Sequence, residues 1–308
     1  MTTAGQGLLD FARIHQQVRD PEAAHLVIGL NKVVTSRVVP GLKVEVNERE
    51  DGAQVAMVVE EGARIRRPVH LCFGALQEAG VQKIVLSLDV QAGARVDVVA
   101  HCIFPNAVDM QHLMDADIRV GPGAHYTYAE QHIHSEQGGI TVAPKARVLL
   151  EEGAEFRTEF VLLQGCAGVV DIDYHARCEA HSVLEMMARI SGRAEDRIRL
   201  QETAELVGEY ARGVLKSRVA VRDRARADVT NTLKAMAAHA RGHVDCQEIL
   251  KDEGVATAVP IVEVHHPQAH VTHEAALGSV DTRQLQTLMA RGMTEEQASE
   301  LIIQGLLS

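Results

Sequence analysis

Imidazoles gather near the end of the chain: His265, His266, His270 and His273 fall within nine residues, and Glu274 follows directly on the last of them. Nitrogen and carboxylate donors this close in sequence can reach one transition-metal ion, and iron accepts imidazole, carboxylate and thiolate together. Upstream, His239 and His243 form an HxxxH pair, with Cys246 three residues beyond. On a helix such a pair would share a face and suit zinc. Here ARGHVD reads as a turn entering a strand, and the glutamate of HExxH is missing. A strand stacked beside the histidine-rich stretch could instead bring the Cys246 thiol toward His273. The candidate metal ligands are therefore His273, Glu274, Cys246, His270 and His243. The plainer alternative is that His273 anchors the turn before the terminal helices and that the histidines around it belong to a surface loop. Cys178 is expected in the core, and His132 and His134 are expected as exposed ladder residues sharing one strand face.

Other chemistries lack their motifs. No GxxxxGK[ST] phosphate loop occurs, and GEYARGVLKS around Lys216 lacks the glycine spacing, so no nucleotide is expected to bind to this chain. ATP dependence would have to come from a partner. GxSxG, GxGxxG and the four-cysteine spacing of a stable cluster site are also missing. The five cysteines, Cys72, Cys102, Cys166, Cys178 and Cys246, are scattered and odd in number, as expected of free thiols in a reducing compartment. The net charge of −11 opposes nonspecific attraction to nucleic acid or anionic membrane. No signal peptide or long apolar run is seen, and the expectation is a cytoplasmic protein.

The elements that must position these donors are strands. Gly-Ala pairs recur at 62, 93, 123 and 153, in EEGAR, QAGAR, GPGAH and EEGAE, each launching a segment of period two or a continuous apolar run. After residue 155 the spacing changes, but strand-sized segments still alternate with small-residue turns. A repeat that cannot bury its apolar face alone must stack on its neighbours, which predicts a strand solenoid, a β-helix, over 71–262. An antiparallel sandwich or barrel is the competing architecture. Residues 1–70 are expected as a helical or mixed region, with helix-like spacing over Leu8 to Ile28 (Leu8, Leu9, Phe11, Ala12). Residues 263–308 are expected as a helical segment. There Asp281 with Gln284 and Thr294 with Gln297 make two capping boxes, and Gly292 stops the first helix. Leu285, Leu288 and Met289 line one helix, and Ala298, Leu301 and Ile302 the other, in a hairpin too small to stand alone.

The tail HVTHEAALGSVDTRQLQTLMARGMTEEQASELIIQGLL resembles the C-terminal signature of the SufB/SufD family of iron–sulfur cluster assembly proteins. The likeness runs through Thr272-His273, Ala275 to Gly278, Asp281, Gln284-Leu285, Leu288, Arg291-Gly292, Glu296 and Ala298. It extends upstream over Gly242 to Gln247, Leu250, Pro260 and Glu263. The resemblance implies a right-handed parallel β-helix that dimerises, with a homodimer mate or a longer paralogue. It implies a SufC-type ABC ATPase docked on the terminal helices, and a transient iron–sulfur cluster, with its iron, as cargo. Leu285, Leu288, Met289, Arg291, Leu301 and Ile302 are the residues to which that docking is assigned. The family commonly places Cys two residues before the His matching His273, and here Val271 stands in that position. That departure suggests a SufD-like role or a site rebuilt from other residues.

The resulting expectation is a noncatalytic scaffold subunit. A β-helix acyl or sugar transferase using His273 or His132 as general base, or a metal-binding module outside that system, are the alternatives.

Overall fold

Gly62, Gly93, Gly123 and Gly153 take φ of 67°, 65°, 61° and 68°. At the first three, a Cβ would meet nothing within 4 Å. These glycines are therefore required by left-handed backbone and not by crowding. Each turns the chain into a strand that pairs with the strand one repeat earlier: Arg95 lies beside His125, and His125 beside Glu155. The pitch is thus 30 residues, shortening to 28 where Glu155 meets Val183 and settling at 29 from Val183 and Arg212 onward. In the later coils the left-handed turn positions are filled by His181, Tyr210 and His239 on one corner and by Ala194, Asp223 and Asp252 on another. His181, Tyr210 and His239 stack as rings, with centroids 5.1 and 4.6 Å apart.

The computed structural model describes residues 3–307. Two helices lead, α1 (Thr3–Ala12) and α2 (His15–Arg19), followed by β1 (His25–Gly29), β2 (Lys32–Arg37), β3 (Leu42–Arg49) and β4 (Gly52–Val59). Next come β5 (Val69–Gly74), β6 (Ala79–Val90), β7 (Arg95–Phe104), β8 (Asp109–Val120), β9 (His125–His134), β10 (Ile140–Leu150) and β11 (Glu155–Gln164). They continue as β12 (Val169–Cys178), β13 (Val183–Gly192), β14 (Arg197–Leu206), β15 (Arg212–Val221), β16 (Arg226–Ala235) and β17 (Arg241–Leu250). The chain ends with β18 (Val255–Val264), β19 (His270–Ser279), α3 (Thr282–Met289) and α4 (Glu295–Leu307).

Odd-numbered strands from β5, with β1 and β2, form one sheet in the order β19-β17-β15-β13-β11-β9-β7-β5-β1-β2. Even-numbered strands from β4, with β3, form the other. Every pairing from β5 onward is parallel; the antiparallel pairs are β1–β2 and β3–β4. The expected solenoid is therefore the architecture, and an antiparallel sandwich or barrel is ruled out.

Period two within strands and exact stacking between them produce continuous inner rows. One row runs Val69, Val98, Tyr128, Thr158, Met186, Leu215 and Val244, all buried. Each buried aliphatic side chain in such a row contributes about 1.5–3 kcal/mol. Aliphatic rows of this kind explain how the chain builds a core with few aromatics and no tryptophan.

The helix-like spacing expected from Leu8 to Ile28 is only partly realised. Leu8 and Leu9 are buried against Val27, Cys72 and Ile103, but Phe11 is exposed and the Ala12 side chain lies outside the described residues. Helix stops at Arg19, and Ile28 lies in β1, where the β-branched pair Val27-Ile28 joins β5 in parallel register. At the other end, Ile303 and Leu307 of α4 pack on Ala220, and an Arg222–Glu300 ion pair fastens the same helix. Asp281 caps α3 by accepting from the Gln284 N–H at 2.7 Å, and the Thr294–Gln297 capping box forms with reciprocal bonds of 3.0 and 3.2 Å. Gly292, with φ of 95°, ends α3. Among the described residues no helix is long and apolar enough to cross a membrane.

Candidate functional site

The histidine-rich stretch is not the loop it was expected to be. Residues 265–269 make a turn, and His270 to Ser279 form β19, paired along its whole length with β17. The pairing continues a period set upstream: His270 falls 29 residues after Arg241, as Arg241 does after Arg212. β19 is the outermost strand of its sheet, as β18 is of the other, so the solenoid ends here with two unpaired strand edges.

Register decides which candidate ligands meet. His273 stands beside Val244 at the end of the inner row just described, and Cys246 stands beside Ala275 in the next inner row. His273 and Cys246 thus share the inner face on adjacent strands, offset by two residues, with backbones about 8 Å apart from strand spacing and rise. His273 is exposed because no further coil covers it, whereas Cys246 is fully buried. His243, Glu274 and His270 fall on the opposite face by alternation. His243 Nδ1 is 2.7 Å from Thr272 Oγ1, Glu274 lies beside Asp245, and His270 lies beside Arg241. Asp245 Oδ2 accepts from Arg218 at 2.5 Å. The five candidates therefore divide into an inner pair and an outer trio.

The remaining histidines of the tail have local partners. His265 Nε2 lies 2.9 Å from Glu263, and His266 Nδ1 accepts from the Gln268 N–H. His239 is a turn residue stacked on Tyr210.

Around Cys246 the interior is polar. Asn231 Nδ2 lies 3.5 Å from Cys246 Sγ, and the Ser217 hydroxyl donates to Glu248 Oε1 at 3.2 Å. Burial pushes the Cys246 thiol up and the Glu248 carboxyl up to about 7. Glu202, buried beside Asn231 in the opposite sheet, is pushed up to about 8 by the same cause. One oxygen each of Glu202, Asn231 and Glu248 has no hydrogen-bond partner. A thiol among unsatisfied carboxyls, one coil inside the open end, can exchange its proton for a soft cation.

The face assigned to a partner is uncovered. Met289 and Leu301 are 41% and 43% exposed, Leu285, Leu288 and Ile302 are half-buried, Arg291 is exposed, and α3 buries no residue. An open groove of about 1230 Å³ separates α3 and α4 from β17 and β19, lined by Leu288, Leu301 and Ile302 among others.

A second group of donors escaped sequence reasoning. His132 and His134, expected on the surface, are 3% and 4% exposed, because they share the inner face of β9 with Tyr126, Tyr128 and Glu130. Alternation correctly put the two on one face; the aromatic residues at the same parity were the signal that this face points inward. Cys102, Glu130 and His132 place one donor atom each within 4.8 Å of the others. Cys178 is buried in the core, as expected.

The sequence matches the pattern of the family described as SUF system FeS cluster assembly, SufBD core domain, over residues 74–306. An iron–sulfur cluster assembly SufBD family protein of Pyrococcus horikoshii is 34% identical over 284 residues, covering 92% of this chain and 86% of its own length. One from Methanocaldococcus jannaschii is 30% identical over 292 residues, covering 95% of this chain and 92% of its own length. A third, from Archaeoglobus fulgidus, is 24% identical over 252 residues, 80% of this chain and 66% of its own.

Proposed function

The chain belongs to the SufBD family of iron–sulfur cluster assembly proteins, and from that premise we propose that it is a noncatalytic scaffold whose open solenoid end is both its dimer interface and its cluster-assembly site. The observation that carries this reading is the convergence of Cys246 and His273 on one inner face at the end where stacking stops. That end also exposes apolar side chains: Val255, Val259, Ile261, Val264 and Leu277 are 38–51% exposed. Unpaired edges carrying apolar residues favour association with another strand edge. A second copy, or a paralogue, joined end to end would continue the inner rows and enclose His273.

Cys246 and His273 supply thiolate and imidazole to a nascent cluster held as cargo, with Glu274, His270 and His243 on the outer face as further candidates at the same edge. Val271, at the position the family commonly gives to Cys, adds no ligand. Cys246 is covered while β19 is in place, so loading requires that strand to shift. α3 follows β19 within three residues. A SufC-type ATPase gripping α3 and α4 would be well placed to move β19, because binding energy that differs between open and closed forms shifts their populations.

Anaerobic reconstitution with iron and sulfide on wild type, His273→Ala and Cys246→Ala tests the site: both variants load less cluster, and equal loading in all three rejects the pair. Asp substitutions at Leu288, Met289, Leu301 and Ile302 abolish co-purification of the ATPase; undiminished binding rejects that surface.

A further inference from the structure

We infer that the solenoid also holds a resident divalent ion of borderline softness, zinc or ferrous iron, deep in its first half, ligated by Cys102 Sγ, a Glu130 oxygen and His132 Nε2. The inference stands on donor geometry alone and is independent of the reading of the open end.

Glu130 Oε1 lies 3.4 Å from Cys102 Sγ and 2.9 Å from His132 Nε2. Ligands at about 2.0–2.3 Å from a tetrahedral zinc stand about 3.3–3.7 Å from one another, so small rotamer shifts suffice. All three residues are buried, and Glu130 Oε2 has no hydrogen-bond partner. His112, reaching in from β8, has neither ring nitrogen satisfied, with its ring 6.1 Å from that of His132. Unpaired polar atoms in a dry core are costly, and several together mark a place built around something else.

The outer contacts set the tautomer. His134 Nδ1 lies 3.2 Å from the Cys166 carbonyl, which can only accept, so Nδ1 carries the proton and Nε2 of the neutral ring accepts. That nitrogen is 3.1 Å from His132 Nδ1, which must then be the donor. His132 Nε2 is left facing a carboxylate oxygen, and either a proton or a cation must lie between them. A ligating histidine whose other nitrogen is held by a hydrogen-bonded outer residue is the usual arrangement of a metal site.

Charge also balances. The dication displaces the Cys102 thiol proton and the His132 Nε2 proton to solvent, and the thiolate and carboxylate then neutralise it. The complex is uncharged, the form a low-dielectric interior holds at least cost. Over the next two coils the same inner rows carry Phe160 and Leu162, then Ala188 and Ile190, all buried. They separate this ion from the Cys246 region.

The test is metal analysis of the full-length chain after gel filtration against a chelator, beside cobalt(II) loading of the metal-depleted protein. Wild type and a Cys246→Ser/His273→Ala double variant each retain about one ion per chain, and the element found distinguishes zinc from iron. Cys102→Ser, Glu130→Gln and His132→Asn hold it at least about 100-fold more weakly. A thiolate-to-cobalt absorption band that survives in Cys246→Ser supports the site without requiring any core variant to fold. Absence of that band, or retention by Cys102→Ser equal to wild type, overturns the inference.

Discussion

Glu202 offers a quantitative test of how dry the solenoid interior is. Its carboxyl sits on the inner face of β14, its Oε2 lacks a partner, and burial alone pushes it from 4.5 up to about 8. In the unfolded chain the same group ionises near its ordinary value. Below pH 4.5 both states hold the proton and the carboxyl costs nothing. As pH rises from there, the folded chain keeps a proton that the unfolded chain has lost, so stability falls through the window and levels off above pH 8. At about 1.36 kcal/mol per unit, the cost is about 3 kcal/mol at pH 7 and about 4 kcal/mol at pH 8, where the folded group is half ionised. Glu202→Gln keeps the shape and removes the ionisation. With an unfolding entropy of about 0.65 kcal/mol/K for a chain of this length, the variant gains about 7 °C in Tm at pH 8, about 5 °C at pH 7 and none at pH 4.5. Paired thermal melts across that range measure it. A gain that does not vary with pH, or a loss at pH 8, would show that water or an unrecognised cation reaches Glu202, and would refute the reasoning.

Three further outcomes follow from the backbone and the outer contacts. Gly139→Ala places a Cβ 2.1 Å from the Val108 carbonyl oxygen at φ of 77°, while Gly123→Ala meets open space. The first should therefore cost at least about 2 kcal/mol more than the second, which pays only the left-handed strain of about 1–2 kcal/mol, as read from denaturant midpoints. Tyr210→Ala breaks both ring contacts of the corner stack and lowers stability by about 1–2 kcal/mol, with far less further loss when His239→Ala is added than that change causes alone. Arg222→Ala removes the ion pair to Glu300 that fastens α4 to the solenoid, and speeds limited proteolysis near 290–294 without a matching drop in the global melt.

Much of this architecture was legible because glycine announces left-handed backbone. Where Gly62, Gly93, Gly123 and Gly153 mark the turns, the repeat can be read by eye, and the solenoid follows. Beyond Glu155 the same backbone is carried by His181, Tyr210, Asp223 and Asp252. The Asp side chains stabilise it by bonding across the stack, as Asp223 does to the Ala194 N–H at 2.7 Å, so the punctuation persists while its letters change. The tail helices were legible through their caps. β19 was not: His270 to Ser279 carries four small residues, Ala275, Ala276, Gly278 and Ser279, and two histidines, and only pairing with β17 makes it a strand. For the site, Cys246 and His273 could be suspected of meeting, but their common face depends on a 29-residue register invisible without the stack. The Cys102 group was missed because a polar strand such as HYTYAEQHIH looks amphipathic in either direction, and two histidines were assigned to water.

The two ends of the solenoid differ in a way that limits how many copies can join. At the start, β2 and β3 turn back antiparallel, and the outermost strands carry Lys32, Arg37, Lys43, Glu45, Glu48 and Arg49. A charged, reversed edge is a poor template for another chain. The far end has parallel geometry and an apolar rim. In the proposed end-to-end dimer, tail-to-tail pairing would leave only the charged leading edges on offer, so growth would halt at two subunits instead of running on into a fibre.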